Sequence, residues 1–285
     1  MKYADKERIF KILLLLCSAV TVAFVGVIIV YLLVAGVPAI NEIGINDFLF
    51  GTEWNPNAET PRFGILPFIV TSVYGTLGAI LLGVPLGVLC AVFIAKLAPK
   101  GFGSILRTTV ELLAGIPSVV FGLIGMTVLV PFVQTAFNLP SGANLFSSII
   151  VLSIMILPSV VNVSENALRA VPKEYELGSM ALGADKIETT FNVSIPAAKS
   201  GIAASIVLGI GRSIGETMAV MMVSGNVANM PSLFSSVRYL TTAVSSEMAY
   251  STGLHRKALF SIALVLLLFL CIINLVSRLL LRQDD

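Results

Sequence analysis

The chain has 285 residues; 56% are hydrophobic, 12% are charged, and the formal net charge is +2. Soluble domains carry about 25% charged residues, so this composition, with a mean hydropathy of +0.96, excludes an ordinary water-soluble globule and predicts an all-α polytopic membrane protein. The small net charge gives no basic field for a nucleic-acid partner, so the placement of the charges matters more than their sum.

The first segment, MKYADKERIFK, is basic and runs into an apolar stretch that ends near Val37. A signal-peptide core spans about 7–15 residues; this stretch is longer and suits an uncleaved spanning helix of about 20 residues. The acidic segment 41–63 follows, with Trp54 as the single tryptophan. It reads as an outer loop with an interfacial anchor, or as a docking surface for an external partner. The second span, 65–95, is interrupted by Gly75, Gly78, Gly83, Pro85 and Gly87. The third is broken: 105–113 leads into Ala114-Gly115-Ile116-Pro117-Ser118, then 119–137. That break reads either as a proline kink with its backbone groups satisfied by neighbours, or as a half-helix N-terminus aimed at a path, where N–H groups favour anions. Spans four to six are 146–168, 197–225 and 258–281.

With the N-terminus inside, the inner segments hold thirteen of the eighteen basic residues. These are Lys2, Lys6, Arg8, Lys11, Lys96, Lys100, Arg107, Arg169, Lys173, Lys186, Lys199, Arg278 and Arg282. The outer segments hold Arg62, Arg238, Arg256 and Lys257. The positive-inside rule therefore predicts six spanning helices with both termini in the cytoplasm. The domain reading is a cytoplasmic N-terminus at 1–11, a transmembrane domain at 12–281 and a tail at 282–285. Glu111 and Glu165, near inner span ends, read as solvated interfacial carboxylates. Cys17, Cys90 and Cys271 lie in apolar runs with no disulfide or metal spacing, and His255 has no ligand pattern around it.

The inner connection 165–200 is long and ordered. Pro172 suits a helix start, Gly183 suits the left-handed position after a helix, and Asp185 with Glu188 has the spacing of a capping box. The pattern predicts a helix–Gly–helix hairpin. Gly183 followed by Val193, Ile195 and Pro196 resembles the EAA–Gly–Ile-x-Leu-Pro signature of ABC importer permeases. Leu177 stands where that signature has its glutamate, followed by Gly178 and Ser179, and Glu176 comes one residue early. The resemblance implies an ATPase-coupling loop that includes Glu176, Gly178, Ser179, Ala181, Gly183, Ala184, Ile195 and Pro196. Two further stretches, LLAGIPSVVFGLIGM (112–126) and GRSIGETMAVMMVSGN (211–226), are similar to the C-type permease family of phosphate-specific transport systems. That likeness extends from Lys6 to Arg282. It implies a type I importer fold in a bacterial cell membrane, a homologous A-type permease, two cytoplasmic ATPase subunits and an extracytoplasmic phosphate-binding protein.

In the fifth span, Arg212 and Glu216 stand four residues apart, the spacing of one helix face. Gly201, Ser205, Gly209 and Ser213 form a row of small residues beside them, and Gly211 with Gly215 forms another pair. Such rows let helix backbones approach closely. The charges read either as a structural ion pair or as the lining of an anion path, in which a guanidinium grips an oxyanion bidentately. The family resemblance implies the same two residues, and Gly115, Ile116, Pro117 and Ser118 are candidate path or gating positions. The sequence has no G-x-x-x-x-G-K-[ST] loop, so if transport is ATP-driven the ATPase is another chain; the resemblance implies that ATP and Mg²⁺ are bound there, and no catalytic residue or metal site is expected in this chain. Competing readings are a permease for sulfate or molybdate, a stand-alone secondary transporter and an intramembrane enzyme.

Overall fold

The computed structural model describes residues 2–282; residues 283–285, most of the expected tail, lie outside the described residues. Among the described residues the regular structure is helical apart from one two-residue-deep hairpin, in which Trp54 pairs with Phe63 and Asn55 with Arg62, and a single bridge between Gly225 and Val237. Helix α1 spans Lys2–Ile43, its 42 residues unbroken by Pro38. At about 1.5 Å per residue it is longer than a bilayer core of about 30 Å. Its apolar side chains between Phe10 and Val30 are exposed on all sides, as a helix surrounded by lipid or by another chain would be. Contact with the rest of the chain comes late, where Gly36 lies against the Phe260 backbone and its carbonyl accepts from Ser261 Oγ at 2.6 Å.

Gly44, at φ 93°, turns the chain into α2, Ile45–Phe50. Helix α3, Leu66–Leu97, is continuous. The glycines expected to interrupt it instead form a groove: a Cβ at Gly78, Gly83 or Gly87 would meet the side chains of Ile149, Ile156 and Val160. Helix α4, Lys100–Ala114, is a separate element rather than the first half of span three. Its Leu106 and Val110 pack on a core of Ala91, Val92, Ile94, Val161 and Leu168, where the C-terminal ends of α3 and of the helix at 145–170 meet. Spacing of i and i+4 puts both residues on one side, as an amphipathic helix requires. The third span is α5, Ser118–Ala136, and the fourth is α6, Leu145–Ala170, capped by the Asn144 side chain on the Ser147 amide at 3.0 Å.

After α6 come α7, Lys173–Ala181, and α8, Lys186–Ala197. The chain bends by 70° into α9, Lys199–Gly215. Helix α10, Met218–Val223, and α11, Leu240–Glu247, follow, and α12 covers Gly253–Arg282. Among the described residues, five helices are long and apolar enough to cross a membrane, and six when the bent pair α8–α9 counts as one span. The stretch after α9 is exposed over much of 225–234 but folds back into the protein at α11. Leu240, Thr241, Thr242 and Ala243 are buried, and the Leu240 amide donates to Ser72 Oγ on α3 at 3.1 Å.

Topology is tested by labelling after Cys17→Ala, Cys90→Ala and Cys271→Ala. Glu59 and Leu182 are both exposed. An impermeant maleimide should modify Glu59→Cys in intact cells and Leu182→Cys only after permeabilisation. The reverse pattern would invert the bundle.

Candidate functional site

The small-residue row of α9 faces α6. A Cβ at Gly201 would lie 2.3 Å from that of Ala167, and Gly209 sits against Val160. Ser205 Oγ shares a hydrogen bond of 2.8 Å with Ser164 Oγ. The second pair, Gly211 and Gly215, meets nothing within 4 Å in this chain. Gly211 instead opens onto a cavity of about 600 Å³, lined also by Ser159, Ala204, Val207, Arg212 and Asn274 from three helices.

Arg212 is half-buried at the edge of that cavity, and its Nη1 donates to Ser159 Oγ at 3.3 Å. A guanidinium carries five N–H donors, and among the described residues no carboxylate is a hydrogen-bond partner of this one. Glu216 is not on the same helix. Helix α9 ends at Gly215, and Glu216 is extended, at φ −68° and ψ 132°. Its Oε1 accepts from the Ala219 amide at 3.1 Å, and its carbonyl accepts from Thr241 Oγ1 at 2.9 Å. The four-residue spacing implied a shared helix face only if the helix continued. It stops because Gly215 weakens it and because the acidic side chain finds free amides at the start of α10. The structural ion pair, one of the two readings of these charges, is therefore not formed, and each residue has its own partner.

The turn at Gly115, Ile116, Pro117 and Ser118 separates α4 from α5, and none of the four lines the Arg212 cavity. Ile116 packs with Phe121, Met155, Ala219 and Val223. Gly122 lies against Ala219, and Gly125 against Val223. Helices α5 and α10 thus run parallel in one register, and one turn back that register brings the start of α5 level with the break after Gly215.

Glu165 departs from the solvated reading. Its side chain is 2% exposed, Arg169 Nε lies 2.7 Å away and Arg107 Nη1 lies 3.8 Å away. Glu111 is half exposed and accepts from Arg107 Nε at 2.9 Å. The arginine shared by the two acids joins α4 to α6.

The helix–Gly–helix hairpin forms as expected. Gly183 sits at φ 96° between α7 and α8, and the capping box closes, with Asp185 Oδ1 on the Glu188 amide at 2.7 Å and Glu188 Oε2 on the Asp185 amide at 3.1 Å. Gly178 and Ala181 are exposed, whereas Ser179 Oγ bonds Thr189 Oγ1 at 3.0 Å. Ala184 and Ile195 are half-buried and Pro196 is exposed. Glu176 turns inward, pairing with Lys96 and accepting from Ser194 Oγ at 2.9 Å. Burial pushes its carboxyl up, but hydrogen bonds from Lys96 and Ser194 and the charges of Lys96 and Lys173 outweigh that, so it lies below the usual carboxylate range and stays ionised at neutral pH.

One cluster escaped the sequence reading. Trp54 is buried rather than an interfacial anchor, and its Nε1 donates to Glu247 Oε2 at 3.0 Å. His255 Nε2 lies 2.9 Å from the same oxygen, and Arg238 pairs with the other carboxylate oxygen. These four residues tie the hairpin to α11 and α12. No local spacing links positions so far apart in the chain.

Residues 83–283 match the family model of the binding-protein-dependent transport system inner membrane component. The chain is 38% identical over 270 residues to the probable ABC transporter permease protein YqgH of Bacillus subtilis (strain 168), covering 92% of this chain and 87% of that one. It is 31% identical to the phosphate transport system permease protein PstC of Pasteurella multocida (strain Pm70), covering 84% and 80%. Against PstC of Mesorhizobium japonicum it is 30% identical, covering 100% and 92%. Among solved structures, a bacterial alginate ABC transporter superposes with a TM-score of 0.61 at 16% identity, covering 86% of this chain and 85% of that one. The inward-facing methionine ABC transporter MetNI gives 0.59 at 17% identity, covering 78% and 94%. At these identities the structural likeness speaks to the fold.

Proposed function

Because this chain belongs to the inner-membrane permease components of binding-protein-dependent ABC importers, we propose that it is the C-type permease of a phosphate importer, with Arg212 as its anion contact. It is a multi-pass bacterial inner-membrane protein and not itself an ATPase; nucleotide is bound by a separate ATPase subunit. The proposal extends to a sister A-type permease, two ATPase subunits and an extracytoplasmic phosphate-binding protein. The observation that carries it is a guanidinium with no carboxylate partner among the described residues, half-buried beside an open cavity between α6, α9 and α12.

A charge at the bilayer centre costs at least about 2.5–3.5 kcal/mol, and an arginine without a counter-charge there suits an anion that supplies one in passing. Planar N–H donors match phosphate oxygens. One oxygen of Glu216 is committed to the Ala219 amide. Its other oxygen is left to accept from the P–OH of monohydrogen phosphate, a proton that sulfate lacks. The Gly115–Ser118 turn, level with the α9 break, is the candidate gate.

Coupling is assigned to the α7–α8 hairpin, whose Tyr175, Leu177, Leu182 and Ile187 are exposed apolar side chains. Gly183→Val meets no neighbour, so its cost is backbone strain of about 1–2 kcal/mol. Uptake should fall while the protein remains in the membrane; wild-type uptake with normal ATPase association would remove the hairpin from the mechanism.

Substrate identity is tested in liposomes holding the complete transporter. Phosphate-loaded binding protein should stimulate ATP hydrolysis, and phosphate should accumulate against excess sulfate. Equal transport of both anions would leave an oxyanion permease without phosphate selectivity.

A further inference from the structure

The α7 helix has two faces with different chemistry. Leu177, at the position of the signature glutamate, is 61% exposed, and Leu182 at the helix end is 92% exposed. Neighbouring helix positions differ by about 100°, and Glu176 accordingly points the other way. Its side chain is 22% exposed and that of Lys96 is 12% exposed. Lys96 belongs to the last turn of α3, and Ser194, which shares the same carboxylate oxygen, belongs to α8. Three elements therefore meet on one carboxylate. Lys173 is the other cation close enough to act on it.

From Lys96 a continuous helix runs to Leu66. Along it, α3 packs closely on α6 through Gly78, Gly83 and Gly87, and at its outer half it receives Tyr239 against Gly75. A displacement applied to α7 thus has a short, covered route into a rod that reaches the buried α11 segment. A glutamate at position 177 would instead stand on the exposed face, where this chain presents Leu177, Met180 and Leu182 beyond a charged first turn of Lys173 and Glu174.

We infer that Glu176 is a positioning residue that transmits movement of the docking hairpin to α3 through Lys96, and that it does not contact the ATPase. This inference rests on the coupling role assigned to the hairpin above. A half-buried ion pair is suited to the task, since removing either partner leaves the other charge without compensation, and the two elements then lose their common anchor while the apolar face is unchanged.

The test uses the complete transporter with Glu176→Gln, Lys96→Met and the exchanged pair Glu176→Lys with Lys96→Glu. Three quantities are read: ATPase subunits copurified per permease, ATP hydrolysed, and phosphate carried per ATP. Both single variants should keep the ATPase at wild-type stoichiometry and keep hydrolysing, while phosphate carried per ATP falls about tenfold. The exchanged pair should recover most of that ratio. If a single variant fails to assemble, Glu176→Asp, which keeps the charge and shortens the reach, should give the same split in weaker form. Loss of the ATPase in Glu176→Gln but not in Lys96→Met would make the glutamate a docking contact and overturn the inference. An unchanged ratio in both single variants would overturn it as well. Leu182→Asp separates this from the underlying reading: it should abolish copurification, and if it does not, the hairpin is not the docking element and the coupling role itself fails.

Discussion

Arg212→Met is expected to give a transporter that assembles, retains basal ATP hydrolysis and carries phosphate about a hundredfold more slowly. The size follows from the cost of a charge inside the bilayer: losing an interaction that offsets about 2.5–3.5 kcal/mol slows passage by roughly two powers of ten. Assembly survives because the structure separates the two charges. Glu216 is held by the Ala219 amide and by Thr241, so removing Arg212 strands no carboxylate. Arg212→Lys keeps the charge but loses the planar fork, and it should fall between wild type and Arg212→Met. Glu216→Ala removes the carboxylate that accepts from the Ala219 amide in the first turn of a six-residue helix, at a stability cost of about 1 kcal/mol, and with the P–OH acceptor gone it should also lower discrimination against sulfate. If Arg212→Met carried phosphate normally, the arginine would be structural.

Arg169→Met carries the largest expected stability loss. Glu165 is buried, and its close partner is Arg169 at 2.7 Å; Arg107 stands off at 3.8 Å. Removing one partner of a buried pair costs about 3–5 kcal/mol, and the remaining arginine places the expected loss near about 3 kcal/mol. The reverse substitution, Glu165→Gln, should be mild. Both arginines are 44–46% exposed, and charges that reach water lose about 0–1 kcal/mol when a partner goes. The double variant should regain most of what Arg169→Met loses. Thermal unfolding of the detergent-solubilised complex reads all three. Equal losses for Arg169→Met and Glu165→Gln would mean that the carboxylate is hydrated after all.

What the sequence made legible was whatever is decided locally. Spans follow from the length of apolar runs, and the coupling hairpin follows from Pro172, Gly183 and the Asp185–Glu188 box, whose bonds lie within three residues. The α9 small-residue row was legible because helix periodicity alone puts Gly201, Ser205, Gly209 and Ser213 on one side, and α6 occupies it. The end of α9 was not legible. Gly215 is a local signal, but Glu216 leaves the helix with its carboxylate on the Ala219 amide and its carbonyl on Thr241 Oγ1, which comes from a segment folded back into the bundle. Nor was the burial of Glu165, since α4 had to separate from α5 before Arg107 could lie beside α6. The glycines of α3 read as interruptions because a sequence does not show that α6 fills their places. Glu176 looked displaced by one residue, and the structure turns that displacement into a change of face, from outward contact to inward pairing.

The claim that an anion passes Arg212 is tested most directly at Ala204, which lines the same cavity and is exposed. In a transporter carrying Ala204→Cys and lacking its native cysteines, a negatively charged methanethiosulfonate should modify the new thiol during turnover. Phosphate should slow that reaction, and the protection should vanish when Arg212→Met is added. A thiol that resists the anionic reagent but reacts with a lipid-soluble maleimide would place this face of α9 in lipid, and Arg212 would then line no path.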